Sequence, residues 1–142
     1  MELSGAYLPQ RIFAPADRGH LPVPRVFISP HRYVQGQGVL GGIGRYLSLM
    51  QARRVALLMS ERGLRSEGVP LLESLRSAGI EAVPSVFHGE CSIEEITAQV
   101  EALAHERIGC VIAAGGGKCI DAGKGVAFRL GTPVVIVPTL AS

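Results

Sequence analysis

The sequence has little charge and few aromatic residues. Only 18% of its 142 residues are charged, and the formal net charge at pH 7 is +2. Proteins dedicated to nucleic acid or to acidic membrane surfaces are strongly basic, so a chain this close to neutral is not expected to bind either. Tryptophan is absent and aromatic residues make up 5%, which argues against the aromatic platforms on which single-stranded bases stack.

Long hydrophobic runs and a secretion signal are also missing. No stretch approaches the roughly 18 consecutive apolar residues that predict a membrane span. The first residues do not follow the basic and then apolar pattern of a signal peptide. They are rich in proline instead, and we interpret residues 1–24 as a Pro-rich N-terminal arm beside the folded domain.

Cysteine and histidine are too scattered to form a recognisable site. The three cysteines, Cys91, Cys110 and Cys119, lie far apart and no CxxC pair occurs. This spacing excludes a disulfide framework and a zinc finger, and free thiols suit a cytoplasmic location. The residues complete neither a metal-ligand set nor a catalytic set, so no catalytic or metal-binding residue is assigned.

What the sequence does have is an alternation of short apolar runs with amphipathic runs. The run Arg54–Met59 is apolar without interruption after its first residue, which is typical of a strand buried on both faces of a parallel sheet. The pattern predicts short strands at 26–28 and 33–35, longer strands at 54–59, 82–87, 110–114 and 134–137, and helices at 39–50, 69–78, 92–106 and 118–130. This order indicates an α/β fold with a Rossmann-like doubly wound parallel sheet over residues 25–142.

Proline and glycine qualify two of these elements. Pro84 interrupts the strand at 82–87 and predicts that it lies at an edge of the sheet. Gly41, Gly42 and Gly44 weaken the helix at 39–50. They indicate either close packing or a backbone that approaches a ligand, and the sequence leaves both open.

A glycine loop carries the clearest functional signal. Gly115, Gly116, Gly117 and Lys118 follow one predicted strand and open the next helix. Backbone without Cβ atoms can approach an anion there, where the first helical N–H groups point. Lys118 is unfavourable at this end of the helix dipole unless an anion compensates it, and Asp121, one turn later, could orient it. A dinucleotide or phosphate site is predicted, with a glycine turn that only packs the helix against the sheet as the alternative.

The loop matches neither of two common phosphate-binding motifs. In a Walker A loop, Ile112 would have to be glycine and Cys119 would have to be serine or threonine. In the GxGxxG motif, Ile120 stands in place of the third glycine. The loop therefore predicts an anion-binding backbone without naming the nucleotide.

The residues after Arg54–Met59 bear on the ribose. In nucleotide-binding sheets an acidic residue after an earlier strand takes the ribose hydroxyls, and Glu61 could do so here. Ser60 and Arg62 would alternatively leave room and charge for a 2′-phosphate. A solvated loop is the third interpretation.

Four segments together resemble a known family. They are Ser29-Pro30 with Tyr33 to Leu40, the stretch FHGECSIEEI at 87–96, the stretch GGGKCIDAGKGVA at 115–127, and the stretch PVVIVPTLAS at 133–142. From residue 29 onward the chain resembles the N-terminal half of the glycerol dehydrogenases, in the group III metal-dependent or iron-containing alcohol dehydrogenase family. The GGGK element alone would be shared with 3-dehydroquinate synthases and glycerol-1-phosphate dehydrogenases.

This resemblance implies a fold and a cofactor site. The fold would be the N-terminal nucleotide-binding domain of the dehydroquinate synthase-like type, and the cofactor NAD, with NADP as the alternative. Residues implied along the pyrophosphate are Gly115, Gly116, Gly117, Lys118 and Cys119, with Asp121 supporting the loop. Residues implied toward the nicotinamide are Thr139, Leu140, Ala141 and Ser142. Ser60 stands where these enzymes commonly carry an Asp for the adenosine ribose.

The resemblance also implies a reaction. Such enzymes oxidise a secondary alcohol of glycerol or a similar polyol by hydride transfer to NAD. Their zinc or iron is held by a C-terminal helical domain that these 142 residues lack, so the chain looks like a fragment that is inactive alone. The complete enzyme would be a homo-oligomer.

Two other interpretations stay open. One is a stand-alone nucleotide-binding module. The other is a lyase or an enzyme with a phosphate-bearing substrate, of the 3-dehydroquinate synthase or glycerol-1-phosphate dehydrogenase type.

Overall fold

The structure is a computed structural model that describes Phe13, Gly19, residues 24–28 and residues 32–139. The strands in these ranges are β1 (Arg25–Ile28), β2 (Arg32–Gln35), β3 (Arg54–Met59), β4 (Glu81–Val86), β5 (Cys110–Gly115) and β6 (Val134–Pro138). The helices described below are α1 (Ile43–Leu47), α2 (Glu61–Arg65), α3 (Gly68–Ser77), α4 (Ile93–Leu103) and α5 (Gly117–Leu130). Strands β1 and β2 pair as an antiparallel hairpin apart from the main sheet.

The main sheet is parallel and has the strand order β4-β3-β5-β6. The chain leaves β3 for β4 on one side and returns to β5 on the other side. Because the direction of winding reverses between β3 and β5, a crevice forms outside the carboxyl ends of these two strands. The predicted doubly wound α/β fold is confirmed.

Helices cover both faces of this sheet. On one face, α1 and α3 pack against β3 and β5 with Leu47, Leu71 and Leu75, each 1% exposed or less. On the other face, α4 and α5 pack with Leu103 and Val126. Successive residues of β3 alternate between the two faces, and all six positions but the first are fully buried. This double burial is why the strand reads as a continuous apolar run.

The strand with Pro84 lies at an edge, as predicted. Strand β4 pairs only with β3 in the described sheet, with Pro84 opposite Leu57. Proline has no N–H to donate to a ladder, so an edge position tolerates it where a central one would not. The helix ends also follow the sequence, since Gly79 ends α3 with φ of +70° and Ser92 caps α4.

The helix predicted at 39–50 is wrong as a single element. The chain forms a 3₁₀ turn at Val39–Gly42, the short helix α1, and a second 3₁₀ turn at Ser48–Met50. Gly44 explains the packing of this segment, because a Cβ atom there would lie 2.2 Å from the carbonyl oxygen of Ser74 in α3. The Gly44 N–H donates to Ser74 Oγ at 3.0 Å. Of the two interpretations of the glycines, close packing holds at this one.

Little of the Pro-rich arm at 1–24 falls within the described residues. Phe13 does, and it is 3% exposed with its ring stacked on Tyr46, centroids 5.1 Å apart. Within the described ranges, no helix has both the length and the hydropathy needed to cross a bilayer.

Candidate nucleotide-binding site

The carboxyl ends of three strands bring most of the predicted site residues to one edge of the sheet. Ser60 directly follows β3, Gly115 ends β5, and Thr139 directly follows β6. The register places Gly115 opposite Pro138, and the Thr139 N–H donates to the carbonyl oxygen of Gly115 at 3.2 Å. This bond fixes the end of β6 to the glycine loop, close to the point where the winding direction of the sheet reverses.

The glycine loop has the geometry of an anion cradle. Gly115 has φ of +157°, which residues with a Cβ rarely adopt, and an added Cβ would lie 3.0 Å from Cys119 Cβ. Gly116 is the N-terminal cap residue of α5 and supplies no side-chain cap. An added Cβ at Gly117 would meet no heavy atom within 4 Å. The backbone is therefore tight on its inner side and open on its outer side.

Helix α5 starts at this open side. Its first intrahelical hydrogen bond into the loop runs from the Ile120 N–H to the Gly116 carbonyl, at 3.1 Å. The N–H groups of residues 117–119 come before Ile120, the first donor of that series, and have no partner within the helix. Together with the positive end of the helix dipole, they favour a negatively charged group beside Gly117.

Lys118 pairs with a residue that the sequence did not indicate. Its Nζ lies 2.5 Å from Oε1 of Glu90, and the two side chains are 64% and 75% exposed. Asp121 instead accepts from Lys124 Nζ at 3.0 Å. The expectation that Asp121 orients Lys118 is therefore wrong, because the carboxylate sits one turn along α5 and pairs on the outer surface of the helix.

Glu90 belongs to the β4–α4 loop, and Glu95 fixes that loop from the first turn of α4. Glu95 Oε1 accepts from the His88 N–H at 3.2 Å and from Gln99 Nε2 at 2.8 Å, while its Oε2 lies 3.1 Å from His88 Nδ1. Gln99 Nε2 also donates to the Val86 carbonyl at 2.6 Å, and its side-chain oxygen accepts from the buried Ser85 hydroxyl. The loop is held to both β4 and α4.

These hydrogen bonds also set the acidity of Glu95. Its side chain is only 12% exposed, and burial alone would raise its pKa. The bonds from Gln99 and from the backbone and ring of His88 outweigh that effect, so the pKa of Glu95 lies below its usual value. Glu95 is thus a carboxylate at neutral pH in a largely enclosed place.

Cys119 faces inward, under the loop. It is 4% exposed, and its Sγ lies 3.5 Å from the Leu58 carbonyl and 3.6 Å from the Ala114 carbonyl. Burial, with a smaller contribution from the charge of Glu95, raises the pKa of the thiol to about 11. The Cys119 side chain is therefore turned away from an anion at the N-terminal end of α5. Only the backbone N–H of Cys119 is a candidate to bind one.

Ser60 serves as a helix cap. Its Oγ accepts from the Gly63 N–H at 3.1 Å at the start of α2, and the residue is exposed. Glu61, the candidate for the ribose hydroxyls, pairs with Arg65 at 3.2 Å on the same helix. Both residues lie beside the crevice, and both are exposed to a ligand there.

Leu140, Ala141 and Ser142 lie outside the described residues. Among the residues that the structure does describe, no group of three or more His, Cys, Asp or Glu side chains could hold a metal ion. All three cysteines carry free thiols.

Sequence reasoning missed Glu90 and Glu95. Both fall within the stretch 87–96 that carries part of the resemblance, but periodicity gives no sign that Glu90 reaches a lysine 28 residues away. The spacing of Ser92 and Glu95 is that of a capping box, in which each side chain binds the other residue's backbone N–H. The Ser92 Oγ does accept from the Glu95 N–H at 3.1 Å, while the Glu95 carboxylate turns to His88 instead.

Comparison with known proteins identifies relatives of this chain. The chain is 36% identical over 115 residues to a glycerol dehydrogenase of Thermotoga maritima. The aligned residues cover 81% of this chain and 31% of that protein. A probable glycerol dehydrogenase of Sinorhizobium meliloti has a crystal structure that superposes with a TM-score of 0.64 and 25% identity, over 74% of this chain and 27% of that chain. The crystal structure of NADH-dependent butanol dehydrogenase A of Thermotoga maritima superposes with a TM-score of 0.60 and 25% identity. This match covers 65% of this chain and 24% of that chain.

The chain therefore spans less than a third of the length of each of these relatives. The family model for iron-containing alcohol dehydrogenase matches residues 30–142, a range that includes the whole parallel sheet and the glycine loop. The chain belongs to the iron-containing alcohol dehydrogenase family.

Proposed function

We propose that this chain is the dinucleotide-binding part of an NAD-dependent polyol dehydrogenase, with residues 25–142 forming the binding domain. The observation that supports this most is the open backbone at Gly117. At this position lie the N–H groups of the first turn of α5, the positive end of its dipole and Lys118. The position is also where the winding direction of the parallel sheet changes, between β3 and β5. Its family and the NADH-dependent relative favour a nicotinamide dinucleotide over other phosphate-bearing ligands.

The residues present fit the pyrophosphate of such a cofactor. The N–H groups of residues 117–119 would donate to its oxygens, and Lys118 would neutralise part of its charge. Gly115 could not be replaced without a contact with Cys119, and Gly117 leaves the approach free. Thr139 holds the loop in position through its N–H.

A bound nicotinamide dinucleotide would supply the hydride acceptor for oxidation of the alcohol. The chain's own part is to bind and orient the cofactor at the edge where β3, β5 and β6 end. Leu140, Ala141 and Ser142, which follow Thr139 in the sequence, are included in the proposed cofactor site on the ground of family membership alone. Ser60 supplies no carboxylate for a ribose 2′-hydroxyl, so NADP remains the alternative cofactor.

The described residues do not fit a catalytic metal, since they contain no ligand set. We propose that the remainder of a full-length enzyme supplies the zinc or iron site. Glycerol or a similar polyol is the proposed substrate because the similar proteins include glycerol dehydrogenases. The complete enzyme is proposed to be a cytoplasmic homo-oligomer.

Blocking the cradle tests the proposal. The change Gly117→Val places a branched side chain where the pyrophosphate would lie, in space that no protein atom occupies. We expect dinucleotide affinity to fall at least about tenfold, because displacement of a single charge-assisted hydrogen bond accounts for ~1.4 kcal/mol or more. Isothermal titration of NADH and, separately, of NADPH into the chain measures both the loss and the cofactor preference.

The matched control is Gly41→Val, since an added Cβ at Gly41 also meets open space but lies in the 3₁₀ turn before α1. We expect it to bind NADH as the wild type does. Wild-type binding that survives Gly117→Val would contradict the placement of the pyrophosphate at this loop.

A further inference from the structure

The pair between Lys118 and Glu90 places a carboxylate at the mouth of the anion cradle. A cation in the first turn of a helix is disfavoured by the helix dipole unless a negative group lies nearby. In this structure that group comes from within the chain, at 2.5 Å and from 28 residues away. Glu90 thus satisfies the same lysine that a bound pyrophosphate would need.

The backbone around Glu90 is held on both sides, although its side chain is exposed. The Ser92 N–H donates to the Glu90 carbonyl at 3.1 Å, and Ser92 itself caps α4. On the other side, the His88 N–H is bound to Glu95. The loop therefore presents the carboxylate at a fixed distance from α5, and only the two side chains must move to break the pair.

We propose that Glu90 is an internal competitor of the cofactor's pyrophosphate for Lys118, and so sets the affinity of the site. In the free chain Glu90 holds the lysine; on binding, the pyrophosphate takes its place and Glu90 turns to solvent. The inference rests on the proposed function, since it concerns the same site. It assigns to Glu90 a role in limiting affinity, which speeds the release of product cofactor.

The competing arrangement is one in which Glu90 positions Lys118 for the pyrophosphate. The two predict opposite signs. A carboxylate left beside bound pyrophosphate repels it, and a lysine engaged at 2.5 Å must break an ion pair before it can bind. A positioning residue would make the bound state tighter, and a competitor makes it weaker.

The experiment measures binding of NADH and of inorganic pyrophosphate to the chain by calorimetry, for wild type and for Glu90→Gln. We expect Glu90→Gln to bind both about two- to fivefold more tightly at low ionic strength, the range that exposed ion pairs support. The gain should shrink as salt is added, because exposed charges are screened. Glu90→Ala should give a gain of the same sign.

A double-mutant cycle with Lys118→Met tests whether the effect passes through the lysine. We expect Glu90→Gln to give at most half the gain, on a logarithmic scale, when Lys118 is absent. Glu73→Gln is the matched control, because Glu73 is also an exposed carboxylate in an ion pair, 2.7 Å from Arg76 on α3. Its affinity for either anion should equal that of the wild type.

Equal or weaker binding by Glu90→Gln, or an undiminished gain without Lys118, would overturn the inference while leaving the proposed function in place. A wild-type chain that binds neither NADH nor pyrophosphate would overturn the proposed function and the inference with it.

Discussion

Glu95 holds the β4–α4 loop and gives the stability of the chain a dependence on pH. Its carboxylate is 12% exposed and accepts hydrogen bonds from His88 and Gln99, which keep its pKa below the usual value. In the unfolded chain the group returns to an ordinary glutamate pKa of about 4.3. As the pH falls the unfolded chain therefore takes up its proton first, and folding loses stability.

We predict that Glu95→Gln flattens the acid limb of the stability profile. The stabilisation from the carboxylate is fully present above the unfolded pKa and is lost as pH falls through the lower, folded value. The wild type should therefore lose more stability between pH 6 and pH 3 than the variant. Urea unfolding midpoints followed by circular dichroism across this range give the comparison.

Glu101→Gln is the control for this experiment, because Glu101 is an exposed carboxylate on the same helix. Its profile should run parallel to that of the wild type. Parallel profiles for Glu95→Gln and wild type would show that Glu95 has no lowered pKa in the folded chain.

Residues like Glu95 and Glu90 mark where prediction from sequence ends. The position of Lys118 at a helix start was predicted, because a glycine loop between a strand and a helix is a local pattern. Its partner was not, since the contact with Glu90 depends on how the β4–α4 loop lies over α5. Asp121, near in sequence, was the expected partner and pairs with Lys124 instead.

At the scale of elements, the contact between α5 and β5 depends on a glycine. A Cβ at Gly123 would lie 2.3 Å from Ala113 Cβ, so the helix can approach the strand only without a side chain there. Helix α5 contains Gly123 and Gly125, and a glycine inside a helix costs about 1 kcal/mol relative to alanine. For Gly123 the structure supplies the reason, which is close packing of α5 on β5 beneath the glycine loop.

We predict that Gly123→Ala destabilises the chain by up to about 2 kcal/mol. Alanine favours the helix by about 1 kcal/mol, but relief of the contact with Ala113 requires a backbone shift that costs about 1–3 kcal/mol. Neither atom is the end of a flexible side chain, so the cost exceeds the gain. Urea unfolding at neutral pH measures the difference in the free energy of unfolding.

Gly41→Ala serves as the comparison, because an added Cβ at Gly41 meets no atom within 4 Å. It should leave stability unchanged or raise it by up to ~1 kcal/mol. A Gly123→Ala chain at least as stable as the wild type would mean that α5 can move off β5 without loss.

Element prediction succeeded where one cause dominated. Strand β3 has apolar residues on both faces because helices cover both faces, and its bounds match the prediction at Arg54–Met59. The segment 39–50 had helical spacing of its apolar residues and yet broke into three short pieces. There the glycines and the approach of Gly44 to Ser74 outweighed the periodicity.

Across the whole molecule, the three cysteines differ in burial. Cys110 lies in the core on one face of the sheet and Cys119 in the core on the other. Burial raises the pKa of Cys110 to about 11 and contributes to the same value for Cys119. Cys91 is exposed in the β4–α4 loop. Alkylation of the thiols therefore reports on both faces at once.

We predict that iodoacetamide at pH 8 modifies Cys91 alone in the folded chain and all three cysteines in concentrated urea. The buried thiols are protonated and inaccessible until their face of the sheet opens. Intact-mass and peptide mass spectrometry count and locate the adducts. Cys91→Ser should give no adduct under folding conditions, and native labelling of Cys119 at the rate of Cys91 would contradict the packing under the glycine loop.

The strand order also has a consequence for synthesis. Strand β3 pairs with β4, which leaves the ribosome soon after it, and with β5, which begins at Cys110. One side of this buried strand thus has no partner until the chain has grown through residue 115. An unpaired apolar strand edge is a template for aggregation, so we expect the nascent chain to be most prone to aggregate between the emergence of β4 and that of β5.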